Sequence, residues 1–157
     1  MTTLNEILGD PKRCGVFRFS GAASTINSAA TAAGLALYQL DIGNLRGKNG
    51  LLEALARTLE FPASFGMNWD ALDECLRDLE WIKARGWVLI MANSAQFALK
   101  NRRILATAIE VLRSAAEYWS REGKPFWVIV LMDAKSRYPE LPQLPAARGA
   151  TRFLLDK

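Results

Sequence analysis

The apolar positions of the chain fall into short continuous runs that alternate with longer, helix-like stretches. The continuous runs, at residues 86–93 and 126–132, are typical of strands that are covered on both faces of a sheet. Two further stretches, residues 15–19 and 36–42, also predict strands. Helices are predicted at residues 22–34, 49–59, 68–80, 94–97 and 102–121. This alternation indicates an α/β layered domain with a small, mainly parallel sheet flanked by helices.

The end of the sequence differs in character from the rest. Pro139, Pro142 and Pro145 interrupt residues 133–157, so we predict an extended arm that packs on the surface rather than a core element. Within this arm, residues 151–156 have the composition of an additional edge strand. The length of 157 residues is that of one domain with a sizeable core.

Composition restricts the location of the protein. Half of the residues are apolar and 23% are charged, as in ordinary soluble domains, and no apolar run is long enough for a transmembrane helix. The first fifteen residues lack the apolar stretch of a signal peptide, so we expect a cytoplasmic protein that does not contact the membrane. In that compartment Cys14 and Cys75 are expected to be reduced thiols.

The absence of histidine excludes many kinds of active site. Ser-His and Cys-His triads and most catalytic zinc sites need this residue, and two cysteines are too few for a cysteine-rich zinc site. Residues 43–48 lack the spacing of a phosphate-binding loop, and the acids at 70–78 lack the central glycine of a calcium loop. We therefore predict a protein that is not an enzyme and uses neither a cofactor nor a metal ion.

The charge is unevenly distributed along the chain. The net charge is +4, but residues 62–82 contain five acids and one base, a local charge of −4 that leaves +8 for the remainder. These charged residues are Asp70, Asp73, Glu74, Asp78, Glu80 and Arg77. The sequence thus predicts an acidic patch on a basic body.

On a helix at residues 68–81, the apolar side chains form one stripe that should face the core. Its members are Trp69, Leu72, Cys75, Leu76 and Leu79, and we expect Cys75 to be buried. Trp69, together with Trp87 and Trp127 in the predicted strands, is also expected in the core.

The acids Asp70, Glu74 and Asp78 form a row on the opposite side of this helix, with Arg77 and Trp81 beside it. Like charges at this spacing destabilise a helix by about 0.2–0.5 kcal/mol per pair. Asp78 also opposes the helix dipole. The row therefore indicates either a solvated face or a surface that meets a cationic partner.

A longer motif surrounds this row. The segment FPASFGMNWDALDECLRDLEW, residues 61–81, resembles the central segment of the barstar family, the intracellular inhibitors of secreted bacterial ribonucleases of the barnase type. The shared pattern is an apolar-Pro start, an aromatic-Gly-x-Asn loop and an apolar-Asp-Ala-apolar helix start. The resemblance covers roughly residues 36–132. It implies one barstar-like domain with a strand-helix extension at residues 1–35 and the Pro-rich arm at residues 133–157.

The resemblance implies a protein that inserts its loop and acidic helix into a ribonuclease active site, which is cationic because it binds RNA phosphates. Asp70 and Glu74 match acidic partner-binding positions of the family. Ser64 replaces a contact tyrosine and Asp73 a contact tryptophan, while Asp78 and Leu79 replace a Gly-Trp pair for which Trp81 can compensate. The predicted partner-binding residues are Ser64, Phe65, Asn68, Asp70, Asp73, Glu74, Arg77, Asp78 and Trp81.

Two hypotheses about function remain open at this point. The first is a ribonuclease inhibitor, or an immunity protein of the same fold, whose partner is a secreted or toxin-type ribonuclease. The second is a non-enzymatic binding module that uses its basic surface for RNA or another acidic partner. The acidic row favours the first hypothesis, and we do not expect the protein to bind nucleic acid directly. An inhibitor should suppress a barnase-like ribonuclease, whereas a module of the second kind should retain polynucleotide without any nuclease.

Overall fold

The computed structural model describes residues 2–144, and the edge strand predicted at residues 151–156 lies outside them. Its four-stranded sheet has the order β1-β4-β3-β2, and every neighbouring pair is parallel. The strands are β1 (Val16–Phe19), β2 (Ala36–Asp41), β3 (Trp87–Ala92) and β4 (Phe126–Leu131). The α/β fold with a parallel sheet flanked by helices is therefore confirmed.

The described residues also form five α-helices and a short 3₁₀ turn at Pro11–Arg13. The helices are α1 (Leu4–Leu8), α2 (Ala23–Ala32), α3 (Gly47–Thr58), α4 (Trp69–Leu76) and α5 (Ser94–Arg121). The helices predicted at 94–97 and 102–121 are two parts of α5, which is interrupted at Asn101 by non-helical backbone angles (φ −135°, ψ 37°). Helix α1 has no counterpart among the predicted elements; it begins with a reciprocal cap between Thr3 and Glu6.

The helices cover both faces of the sheet. The large core cluster, which includes Leu89 and Val128 of the sheet, joins buried residues of α3, α4 and α5. A second cluster on the opposite face joins α1 and α2 to Val88 and Trp127. Because both faces of β3 and β4 are covered, side chains that point to either face are buried, which explains the continuous apolar runs in the sequence.

Helix α4 is shorter than predicted, because it ends at Leu76 rather than near Glu80. Leu79 has left-handed backbone geometry (φ 50°), yet its side chain is buried. The apolar spacing therefore continues after the helical backbone has ended. The prediction that Cys75 is buried is wrong, since it is only half-buried. Trp69 packs against the core as predicted but is also half-buried, whereas Trp87 and Trp127 are buried as predicted.

The described part of the arm, residues 133–144, is tied to the outer edge of β1. The backbone N–H of Arg18 donates to Pro142 O (2.9 Å), and Leu144 N–H donates back to Arg18 O (2.8 Å). The Arg18 guanidinium donates to two further carbonyl groups of the arm, those of Asp133 and Ser136. Leu144 is only 2% exposed and belongs to the same apolar cluster as Trp127. Contrary to the predicted surface arm, this segment therefore contributes a core residue.

Candidate functional site

The loop between α3 and α4 is held by aromatic packing. Its backbone turns at Glu60 and Met67, which both have positive φ (56° and 54°). The Phe61 ring lies 5.0 Å from the Phe65 ring and 6.0 Å from the Trp81 ring, with edge-on geometry in both pairs. The loop is thereby joined to the segment that follows α4.

Asn68 joins this loop to the start of α4. Its side-chain oxygen accepts a hydrogen bond from Ala71 N–H (2.8 Å), which satisfies one of the free N–H groups of the first turn. Its amide nitrogen donates to Gly66 O (3.3 Å). The predicted N-cap is confirmed, and the cap fixes the turn that carries Asp70.

The opposite side of α4 rests on the core and on α5. Leu72 and Leu76 are fully buried, and the Trp119 indole N–H donates to Leu76 O (2.7 Å). Arg77 forms an ion pair with Asp73, and its guanidinium lies 5.8 Å from the centre of the Tyr118 ring. Asp73 is therefore paired with Arg77, and Arg77 also contacts α5.

The loop, the outer side of α4 and residues 78–81 form an open groove with a volume of about 460 Å³. We call it the acidic groove. It collects seven of the nine predicted partner-binding residues, namely Ser64, Phe65, Asn68, Asp70, Glu74, Asp78 and Trp81. The other two, Asp73 and Arg77, do not line it. Although Asp78 lies beyond the end of α4, it reaches the same groove as Asp70 and Glu74.

The carboxylates of the acidic groove have no compensating charge in the described part of the chain. Within residues 2–144, no lysine or arginine nitrogen lies within 4 Å of Asp70, Glu74 or Asp78, whereas Asp73 has its ion pair with Arg77. All three are exposed. The groove therefore presents negative charge that the rest of this structure does not neutralise.

The Cys75 thiol lies in the acidic groove and responds to its charge. Burial raises the pKa of Cys75, and the carboxylates of Asp78 and Glu74 raise it further. Cys75 was expected in the core, and Ala71, which also lines the groove, was not among the predicted site residues. Ala71 precedes Glu74 by three residues and Cys75 precedes Asp78 by three, a spacing at which helical side chains are neighbours. This neighbouring position was the signal that could have identified both.

Trp81 forms a fixed aromatic part of the acidic groove. Its indole N–H donates to Leu59 O (2.9 Å), which satisfies the polar atom and orients the ring. The side chain is half-buried, with Phe61 against it. A partner therefore meets an aromatic surface that is already in place beside the three carboxylates.

Two kinds of feature were not found in residues 2–144. No group of three or more Cys, Asp or Glu side chains there is arranged to hold a metal ion. No helix in this part of the chain combines the length and the apolar character that crossing a membrane requires.

A family model described as Barstar (barnase inhibitor) matches residues 35–131. The match runs from the residue before β2 to the end of β4, and the resemblance stated for about residues 36–132 is confirmed. A search of curated proteins found no match.

Proposed function

Because the chain belongs to the barstar family, whose members are inhibitors rather than enzymes, we propose that it binds and blocks a basic ribonuclease through the acidic groove. The proposed partner is a secreted or toxin-type ribonuclease. Inhibition then follows from occupation of the nuclease site and needs no chemical step on this chain. We place this activity in the cytoplasm, where the free thiols of Cys14 and Cys75 remain reduced.

The observation that carries the proposal is the collection of Asp70, Glu74 and Asp78 in one groove, none of them with an ion-pair partner among residues 2–144. Such an arrangement adds repulsion to the folded state and gives it no ion pair in return. A ribonuclease site is cationic because it binds phosphates. Carboxylates placed against its arginines and lysines form charge-assisted hydrogen bonds, which are about twice as strong as neutral ones.

Preorganisation of the groove supports the same proposal. Asp70 lies in a turn that Asn68 caps, Glu74 follows one turn later, and Asp78 is placed by the turn that buries Leu79. A backbone that is already fixed loses little additional freedom on binding, so more of the interaction energy remains as affinity. The Phe65 and Trp81 rings add apolar area that excludes water from the charged contacts.

The basic body of the protein gives the proposed association a distinct salt dependence. A net charge of +4 repels a basic nuclease at long range, and only the local field of the acidic groove attracts it. At physiological ionic strength charges are screened over about 8 Å, so the groove acts mainly at short distance. Above that ionic strength the long-range repulsion is already screened, so added salt weakens mainly the local attraction, and we expect it to slow association more than it accelerates dissociation.

The test is a kinetic binding assay against a barnase-type ribonuclease, combined with its inhibition. Asp70→Ala and Glu74→Ala should each weaken binding by about 2–5 kcal/mol, mostly through faster dissociation, because a desolvated base on the nuclease loses its partner. Thermal melts should show little loss of stability, since like-charge repulsion is relieved.

Glu80→Ala is the matched control, because Glu80 is exposed but does not line the groove. It should bind almost as the parent does. If the Asp70 and Glu74 variants bind like the parent, while the protein retains polynucleotide through its basic residues, the inhibitor proposal is wrong and the RNA-binding hypothesis replaces it.

A further inference from the structure

Among residues 2–144, Leu99 is a large hydrophobic residue that is highly exposed to solvent, with 83% of its surface accessible. It lies in the first part of α5, before the interruption at Asn101. Phe97 is buried in the core, so this short segment turns Leu99 and Lys100 outward. A single exposed leucine is common on protein surfaces, and it is the surroundings of Leu99 that distinguish it.

Leu99 separates two shallow depressions and lines both of them. Arg46 and Lys100 belong to the first depression, and Arg102 and Arg137 belong to the second. We call Leu99 with these four bases the Leu99 ridge. No aspartate or glutamate lines either depression, and in the described range none of the four bases has a carboxylate within 4 Å.

The second depression is held in a fixed shape. The Arg102 guanidinium lies 3.8 Å from the centre of the Tyr138 ring, a favourable cation–π distance. The Tyr138 hydroxyl donates to the Arg102 carbonyl oxygen (3.1 Å). The base therefore has a defined position beside Leu99.

We propose that the Leu99 ridge docks into the acidic groove of a second copy of this chain. The two surfaces are complementary in charge, since four bases without ion partners would meet three carboxylates without ion partners. They are also complementary in shape and polarity, because a protruding leucine would meet a concave surface lined by Phe65 and Trp81. Both surfaces are on this chain, so the inference does not depend on the proposed nuclease partner.

The contact must be between copies rather than within one chain. Arg46 immediately precedes α3, whereas the loop of the acidic groove follows its end. This helix has 12 residues and is therefore about 18 Å long. The ridge and the groove are thus held apart by a rigid element, and the resulting contact is head-to-tail. Such a contact leaves one free ridge and one free groove at the ends, so further copies can add.

The expected association is weak and sensitive to salt. The net charge of +4 on each copy opposes it, and a contact centred on one leucine falls below the area of a stable dimer interface. Its consequence is competition, because any partner that fills the acidic groove displaces the second copy.

Sedimentation velocity of the full chain, over protein concentrations from about 20 to 500 µM, tests the proposal at about 50 mM and about 500 mM salt. The sedimentation coefficient should rise with concentration at low salt and stay nearly constant at high salt. Leu99→Asp should abolish the rise by removing the ridge. Asp70→Asn combined with Glu74→Gln should abolish it by neutralising the groove.

A mixture of the two variants is the decisive sample. The Leu99→Asp variant retains an intact groove, and the Asp70→Asn, Glu74→Gln variant retains an intact ridge. A head-to-tail contact is therefore restored between them, giving a dimer and nothing larger. Ser28→Asp is the control, because it makes the same charge change as Leu99→Asp at an exposed position of α2, on the other face of the sheet. It should associate as the parent does.

The proposal is overturned if the parent stays monomeric at low salt, if Leu99→Asp associates like the parent, or if the mixture of variants remains monomeric. Circular dichroism of each variant confirms that it is folded before the comparison is made. Leu99→Asp should still inhibit a barnase-type ribonuclease, so failure of this inference and failure of the proposed function give different results.

Discussion

At the scale of single residues, Cys75 is the most direct probe of the acidic groove. Its thiol is half-buried, and two of the three groove carboxylates, those of Asp78 and Glu74, contribute to its raised pKa. Because the thiolate is the reactive form, the rate of alkylation at a given pH measures this local field. Cys75 was predicted to be buried from the spacing of apolar residues along the helix. That spacing cannot distinguish a residue inside the buried stripe from one at its half-exposed border.

We expect Cys75 to react more slowly than an unhindered thiol near neutral pH, and its rate should increase as the pH rises toward its elevated pKa. Glu74→Gln or Asp78→Asn should lower that pKa and accelerate the reaction, since each removes a negative charge beside the thiolate. The measurement is the pH profile of alkylation by a neutral reagent in a Cys14→Ser background, with Glu80→Gln as the control. A profile that none of these substitutions moves would contradict this account of the groove.

At the scale of elements, α4 depends on its cap and on its neighbours more than on its length. It has only eight residues, too few to be stable alone, and its ends are fixed by Asn68 and by the Trp119 indole. The start of α4 could be predicted, because an asparagine directly before a turn of apolar and acidic residues is typical of a helix N-cap. Its end could not, because Leu79 is buried from a left-handed turn and so continues the apolar pattern.

Asn68→Ala should lower the free energy of unfolding by about 1 kcal/mol, because the N–H of Ala71 loses its acceptor. Asn68→Asp, which keeps an acceptor oxygen, should retain most of the stability. Asn49→Ala serves as the control, since Asn49 is exposed within α3 and no side-chain hydrogen bond is seen for it in the described structure. Urea denaturation measures all three, and equal losses for Asn68→Ala and Asn49→Ala would show that the cap contributes nothing.

Other elements show the same division between local and distant causes. The strands β3 and β4 were predictable because burial on both faces requires an apolar residue at every position. Helix α1 has only five residues and no helical period, although the Thr3 to Glu6 spacing of its capping box was a usable signal. The burial of Leu144 had no local signal, since it follows from pairing with Arg18, which is distant in sequence.

At the scale of the whole molecule, the segments outside the family match are integrated into the fold. The match covers residues 35–131, yet β1 pairs with β4, and α2 covers one face of the sheet. The arm then pairs with the outer edge of β1 at Arg18, which leaves less of that edge open to other chains. Stability therefore depends on residues that lie on both sides of the matched region.

Leu144→Ala should lower the free energy of unfolding by about 2 kcal/mol, the low end for a buried leucine, because the arm can shift to fill part of the cavity. Gln143→Ala is the neighbouring control, since Gln143 is exposed and its contact with Arg18 is through the backbone. Chemical denaturation compares the two variants. A loss for Leu144→Ala no larger than for Gln143→Ala would mean that the arm does not contribute to the core.

The strand order also determines when the acidic groove can form during synthesis. β1 is made first, but β4 is its neighbour in the sheet, and α4 rests on Trp119 near the end of α5, so the groove loop leaves the ribosome long before its support exists. With β4 ending at Leu131, translation at about 5–20 residues per second completes the sheet roughly 7–26 s after it starts. Under the function proposed above, a cell that makes a toxic nuclease beside this protein gains protection only after that delay. Starting synthesis of this chain first, or keeping a reserve of folded copies, then removes the unprotected interval.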